Sequence, residues 1–215
     1  LDSELLSMHQ RGVDLEGVDK EIFNQSSERL ADLSTKFSNN VLDATKEWNL
    51  LLTNPEDVQG LPKSTLEVLA AAAKEANHYH SSNKREPSAE EGPWLLGLDM
   101  PRYIPFMTHG INRKIRETLY KAFVSRASEG ELNNKNLIEE ILKLRSIQAK
   151  LLGYKNWAEL SLSSKMAESV QEVEQLLEEL RSAAMPAAQR ELERLRACAE
   201  RHGAIEQSQL APWDI

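Results

Sequence analysis

The chain has 215 residues, 40% of them hydrophobic and 28% charged, with a formal net charge of −8. That length folds as one large or two small domains with a sizeable core, and the acidic balance argues against a general nucleic-acid binder, which needs a basic face for phosphates. The single cysteine, Cys198, excludes an intramolecular disulfide and suits a reducing compartment. No apolar stretch approaches the ~20 residues of a membrane span, so a membrane partner is not expected.

Residues 1–14 read as a helix end followed by a turn at Gly12. The chain opens with Leu1 and shows no targeting segment, which points to a processed or excised piece. From about Gly17 to Thr53 runs the longest periodic segment, with Phe23, Leu30, Leu33, Phe37, Val41, Ala44, Trp48 and Leu51 on one stripe. Steps of three, four or seven residues predict one long helix packed on shorter ones, with a coiled coil as the other reading, stopped at Asn54-Pro55. A second helix follows Gly60-Leu61-Pro62, with Ser64 and Glu67 at capping-box spacing and Leu66, Leu69, Ala73 and Ala76 inward. The polar residues 81–91 predict an exposed loop.

The stretch from Gly92 to Ser128 changes character. Two short apolar runs, Trp94 to Leu98 and Tyr103 to Met107, are separated by Asp99-Met100-Pro101-Arg102 and predict a β-hairpin. Pro101 and Pro105 would make its second run an edge strand. From Ile111 the period becomes helical, with Ile111, Ile115, Leu119 and Ala122 inward and the basic residues Arg113, Lys114, Arg116 and Lys121 read as a solvated face.

Asn133, Asn134 and Asn136 offer caps for a helix through Leu137, Ile141, Leu144 and Gln148 to Leu152, closed by Gly153. Glu139 and Glu140 lie within a turn of Lys143 and predict surface pairing. Tyr154 to Ala167 reads as a short helix and connector. Ser169 with Glu172 caps a further helix through Val170, Val173, Leu177 and Leu180, which Pro186 should break or kink, and Leu192, Leu195 and Cys198 continue its stripe. The tail from Gln207 to Ile215 is irregular and reads as a sequence interrupted.

A zinc peptidase helix requires H-E-x-x-H, which sets two imidazoles on one face and leaves a carboxylate to activate water. None of His9, His78, His80, His109 and His202 is followed by glutamate. Glu75 and His78 have the spacing used in di-iron bundles, but no second pair accompanies them. Cys198 on an apolar stripe predicts a buried, inert thiol. The residues supply no catalytic, cofactor-binding or metal-binding constellation, so the chain should be inactive alone.

Several segments resemble the zinc oligopeptidases that include thimet oligopeptidase, neurolysin and bacterial oligopeptidase A. They are Lys36 to Thr45, Gly92 to Met107, Arg116 to Ser128, Ile141 to Ala167 and the terminal Pro212-Trp213-Asp214-Ile215. Order and spacing are most similar to the oligopeptidase A and plant organellar branch. The resemblance implies a place within a mostly helical, two-lobed fold; with the residue reading this gives a mostly α fold, a helical lobe with one long helix, several shorter antiparallel helices and a small β-hairpin near 94–107, residues 1–215 forming a single helical domain. It further implies a non-catalytic channel wall of an enzyme that degrades short peptides, with zinc in the full-length protein and none in this chain. The partners implied are short peptides, and a missing catalytic lobe or another protein chain. The other reading is a stand-alone, non-catalytic relative that binds peptides or proteins. Either would be intracellular and soluble, with cytosol, mitochondrion and plastid all open.

Overall fold

The computed structural model describes residues 2–78, 86–201 and 210–215, and within them the fold is mostly helical. Eight α-helices are present among the described residues: α1 (Asp2–Gln10), α2 (Gly17–Glu47), α3 (Lys63–Glu75), α4 (Met100–His109), α5 (Arg113–Val124), α6 (Lys135–Leu151), α7 (Trp157–Leu162) and α8 (Val170–Arg201). Two strands, β1 (Asn49–Leu52) and β2 (Trp94–Gly97), pair antiparallel, with Asn49 opposite Gly97 and Leu52 opposite Trp94. The chain divides into two compact units. One comprises residues 1–37 and 135–210, the other residues 38–134 and 211–215.

In the first unit, Phe23 of α2 packs with Ala149, Leu152 and Leu160, and Leu15, Leu151, Tyr154 and Trp157 close the cluster. Buried Gln148 donates from Nε2 to the hydroxyls of Ser26 (3.1 Å) and Ser27 (2.8 Å), which satisfies a polar group inside this helical packing. The inward stripe of α6 is the predicted one, with Leu137, Gln148 and Ala149 buried. Gly153 closes that helix at φ +80°, where Tyr154 N donates to Ala149 O (2.8 Å). Asn156 caps α7 by accepting from Glu159 N (3.0 Å). Ser169 caps α8 by accepting from Glu172 N (3.1 Å), while the Glu172 carboxylate turns back to Glu168 N (2.8 Å). Pro186 does not break α8. The helix runs on to Arg201, with Pro186 exposed. Glu140 pairs with Arg29 of α2 through both oxygens (2.6 and 2.9 Å) in place of the predicted local partner.

In the second unit, α2 ends at Glu47, earlier than its apolar stripe suggests. Asn49 donates from Nδ2 to the carbonyls of Lys46 (3.0 Å) and Glu47 (3.2 Å), which satisfies the helix end and releases 49–52 as a strand. The core gathers Leu52, Leu69, Leu96, Leu98, Phe106 and Leu119, with Trp94 buried among them and its Nε1 donating to Ala89 O (3.2 Å). Helix α3 starts behind Pro62 with no side-chain cap, so the Ser64–Glu67 box is not formed; Ser64 lies exposed inside the helix. Its inward face is Thr65, Leu69, Ala70 and Ala73.

The predicted hairpin is half right. The sheet is there, but the partner of β2 is β1, and Tyr103 to Met107 belongs to α4. Proline near the first turn of α4 costs no intrahelical bond and presets φ, so Asp99-Met100-Pro101 starts a helix. Tyr103, Phe106 and Met107, at helical spacing, then face the core. Arg102 folds back across Gly97, donating to Leu95 O (3.3 Å) and Asn49 Oδ1 (3.3 Å) and pairing with the Asp99 carboxylate. Of the predicted loop at 81–91, residues 81–85 lie outside the described residues, and Ser88 bridges Gly92 with Ala89 buried between them.

Candidate functional site

The second unit carries the chemistry-bearing surface, and α5 organises it. Asn112 caps this helix by accepting from Ile115 N (3.3 Å). Leu119 is buried, and Ile115, Ala122 and Phe123 pack beside it, which turns Arg113 and Arg116 to a different face. That face is not simply solvated. The terminal 3₁₀ turn Pro212–Asp214 lies on it. The Asp214 carboxylate, 5% exposed, accepts from Arg113 Nε (3.0 Å) and Nη2 (2.9 Å), from Arg116 Nη2 (3.3 Å), and from Ala211 N (3.0 Å). Arg116 also donates to Trp213 O (3.0 Å) and Gly110 O (2.5 Å). Burial pushes the Asp214 carboxyl up, but hydrogen bonds from Arg113, Ala211 N and Arg116, with the charge of Arg113, outweigh it and hold it below the usual carboxylate range. Trp213 tilts against Tyr120 at 6.0 Å, with the cations of Arg113 and Lys121 at 5.7 and 5.2 Å from its ring centre.

The same unit holds a groove of about 600 Å³. It lies between the last turn of α2 (Ala44, Glu47), Trp48, Leu98, the end of α5 (Ala122, Ser125) and the segment from Arg126 to Leu132. Arg126 forms one wall. It donates from Nε to Phe123 O (2.8 Å) and from Nη1 to Thr45 Oγ1 (3.4 Å), and its guanidinium sits 3.6 Å from the Phe123 ring centre. Phe123 in turn stacks on Tyr103 at 4.2 Å. Glu47, Glu129 and Glu131 bring three carboxylates to the groove. Elsewhere in the unit Asn40 and Asn134 are buried, with Nδ2 of the first donating to Oδ1 of the second (2.8 Å).

The candidate residues weighed on sequence are not brought together. His9 Nδ1 meets Asp14 Oδ2 (2.7 Å) and its Nε2 meets Leu152 O (3.1 Å). Hydrogen bonding to Asp14 raises its pKa above the ordinary histidine value. His109 is exposed at the end of α4. Glu75 closes α3 and His78 follows beyond it, so the pair straddles a helix end. His80 and His202 lie outside the described residues. Cys198 is exposed, contrary to expectation, because α8 buries none of its residues. No group of three or more His, Cys, Asp or Glu side chains that could hold a metal ion exists among the described residues. The zinc that the resemblance implies belongs to the full-length protein, and no step through a metal is assigned to these residues. Sequence reasoning missed Arg113, Arg116 and Asp214 as a unit, because the two arginines read as a solvated face.

A mostly helical chain whose terminal Pro-Trp-Asp turn is locked onto a basic helix matches the description Peptidase family M3 over residues 106–215, and the chain belongs to that family. It is 46% identical to the Arabidopsis thaliana protein described as "Probable cytosolic oligopeptidase A", over 95% of this chain and 28% of that protein. It is 45% identical to the "Organellar oligopeptidase A, chloroplastic/mitochondrial" of the same plant, over 94% of this chain and 25% of that protein. Oligopeptidase A of Salmonella typhimurium is 38% identical over 100% of this chain and 30% of its own length. The chain thus spans between a quarter and a third of the length of these relatives. No helix among the described residues is long and apolar enough to cross a membrane.

Proposed function

We propose that residues 1–215 work as one helical, non-catalytic lobe of an M3 oligopeptidase, lining the channel through which short peptides reach a zinc-bearing part elsewhere in the protein. The observation that carries the reading is the shape of the alignment. Nearly the whole chain aligns at 46% identity with a protein described as an oligopeptidase, yet covers 28% of it. The lobe contributes positioning and exclusion. An extended peptide would lie along side chains such as Trp48 and those of the Arg126 wall, and folded proteins would be kept out. Work in the cytosol or in an organelle is proposed from the two plant relatives, whose descriptions name those places.

The test is to join this chain in frame to the remaining sequence of the Salmonella relative and assay a quenched fluorescent peptide. The fusion cleaves the peptide in the presence of zinc and this chain alone does not. A folded, zinc-loaded fusion without activity contradicts the reading.

A second reading is favoured by one feature. Helix α8 exposes Leu176, Leu177, Leu180 and Leu195, an apolar surface of the kind that another polypeptide covers. As a stand-alone module the chain would bind a protein or peptide and have a native mass near 24.3 kDa. A native product well above that mass removes this reading.

A further inference from the structure

Resting on the peptide-handling role proposed above, we infer that the groove beside Trp48 is a subsite for a basic side chain, lysine or arginine, of an extended peptide. Two observations converge on that chemistry. The first is size and lining: about 600 Å³ with Trp48, Leu98, Ala122 and Leu132 among its walls. Such a volume suits a small ligand, roughly 300–1,000 Å³ being usual, and the walls suit the methylene stem of a long cationic side chain.

The second is charge. Glu47, Glu129 and Glu131 face one arginine. Arg126 is already engaged, with its guanidinium on the Phe123 ring and its donors on Phe123 O and Thr45 Oγ1. None of the three glutamates forms an ion pair with a described residue. With three glutamates against one arginine, the lining carries a net negative charge. A glutamate side chain would meet repulsion, norleucine would gain the apolar walls alone, and lysine gains both, with Trp48 as the aromatic group best suited to a cation.

The experiment titrates the 215-residue chain, by calorimetry, with three acetylated and amidated alanine heptapeptides that differ only in a central lysine, norleucine or glutamate. The lysine peptide binds roughly tenfold more tightly than the norleucine peptide at low salt, and the advantage shrinks at high salt. The glutamate peptide binds weakest. The double variant E129Q/E131Q, at exposed turn positions, keeps its melting temperature and its affinity for the norleucine peptide but loses the lysine preference. The control E191Q on α8 changes neither. Equal binding of the lysine and norleucine peptides overturns the basic subsite and leaves peptide handling standing. Saturable binding of none of the three overturns both. A lysine preference that survives E129Q/E131Q overturns its placement in this groove.

Discussion

Arg113 holds Asp214 through two parallel hydrogen bonds across 101 positions of sequence, Nε to Oδ1 at 3.0 Å and Nη2 to Oδ2 at 2.9 Å. Fork-to-fork geometry of this kind fixes orientation as well as distance, so the terminal turn is set on α5 in one register. Replacing the carboxylate by an amide leaves two guanidiniums without their counter-ion. D214N is expected to destabilise the second unit by about 1–3 kcal/mol, read by chemical denaturation. R113K, which keeps the charge but loses the fork, should cost less because Arg116 still reaches Oδ1. A D214N protein as stable as the parent would refute the anchoring role.

The pH dependence of that anchor follows from its sign. The Asp214 carboxyl is held below its ordinary value, so its contribution is present above the unfolded carboxylate range near pH ~4. It is lost as pH falls through the lower, folded value. Stability curves of parent and D214N should converge on acidification and separate toward neutrality.

His9 behaves in the opposite sense. Both ring nitrogens face acceptors, Asp14 and the Leu152 carbonyl, and a neutral imidazole can donate to only one. Its raised pKa means that the contribution is complete below the ordinary histidine value of about 6.5 and disappears as pH rises through the folded one. Asp14 is lowered by the same hydrogen bond. In an NMR titration, D14N should bring the His9 pKa down; an unchanged His9 titration would show that Asp14 is not its partner in solution.

Gly60 adopts φ +90°, and a Cβ there would overlap the His109 carbonyl oxygen and crowd Ile111, where Ile111 N donates to Gln59 O (3.1 Å). G60A is therefore expected to cost about 1–3 kcal/mol by thermal or chemical unfolding. G130A, also at positive φ but with open space around it, should cost less.

Asn40 and Asn134 bury their side chains at 8% and 3% exposure and bond to one another. Truncating one leaves the other without that partner at a buried position, so N40A should lose about 1–3 kcal/mol. The loss should be non-additive with N134A in a double-mutant cycle.

Much of the helical layout was legible in the sequence because apolar stripes report burial directly. The inward faces of α2, α5 and α6 lie where Phe23 and Leu33, Leu119, and Leu137 with Gln148 and Ala149 predict. Two segments misled for physical reasons. Leu50 to Leu52 extend the spacing of α2, so only the Asn49 cap, a tertiary-scale detail, shows that a strand begins there. Tyr103 to Met107 looked like a strand because prolines and aromatics discourage helix in general; the i, i+3, i+4 spacing of Tyr103, Phe106 and Met107 was the better signal. The clamp on Asp214 had no local signature, since Arg113 and Arg116 resemble any basic helix face until the distant tail is placed upon them. Cys198 was misjudged because a stripe states which face is apolar, not whether anything covers it.

The measurement that bears most directly on the channel-lobe account uses the fusion of this chain with the remaining sequence of the Salmonella relative, loaded with a non-cleavable photo-crosslinking peptide and mapped by mass spectrometry. The account predicts adducts within residues 38–134 or 211–215, competed away by cleavable peptide. Competable adducts found only outside residues 1–215, in a fusion that cleaves peptides normally, would contradict it.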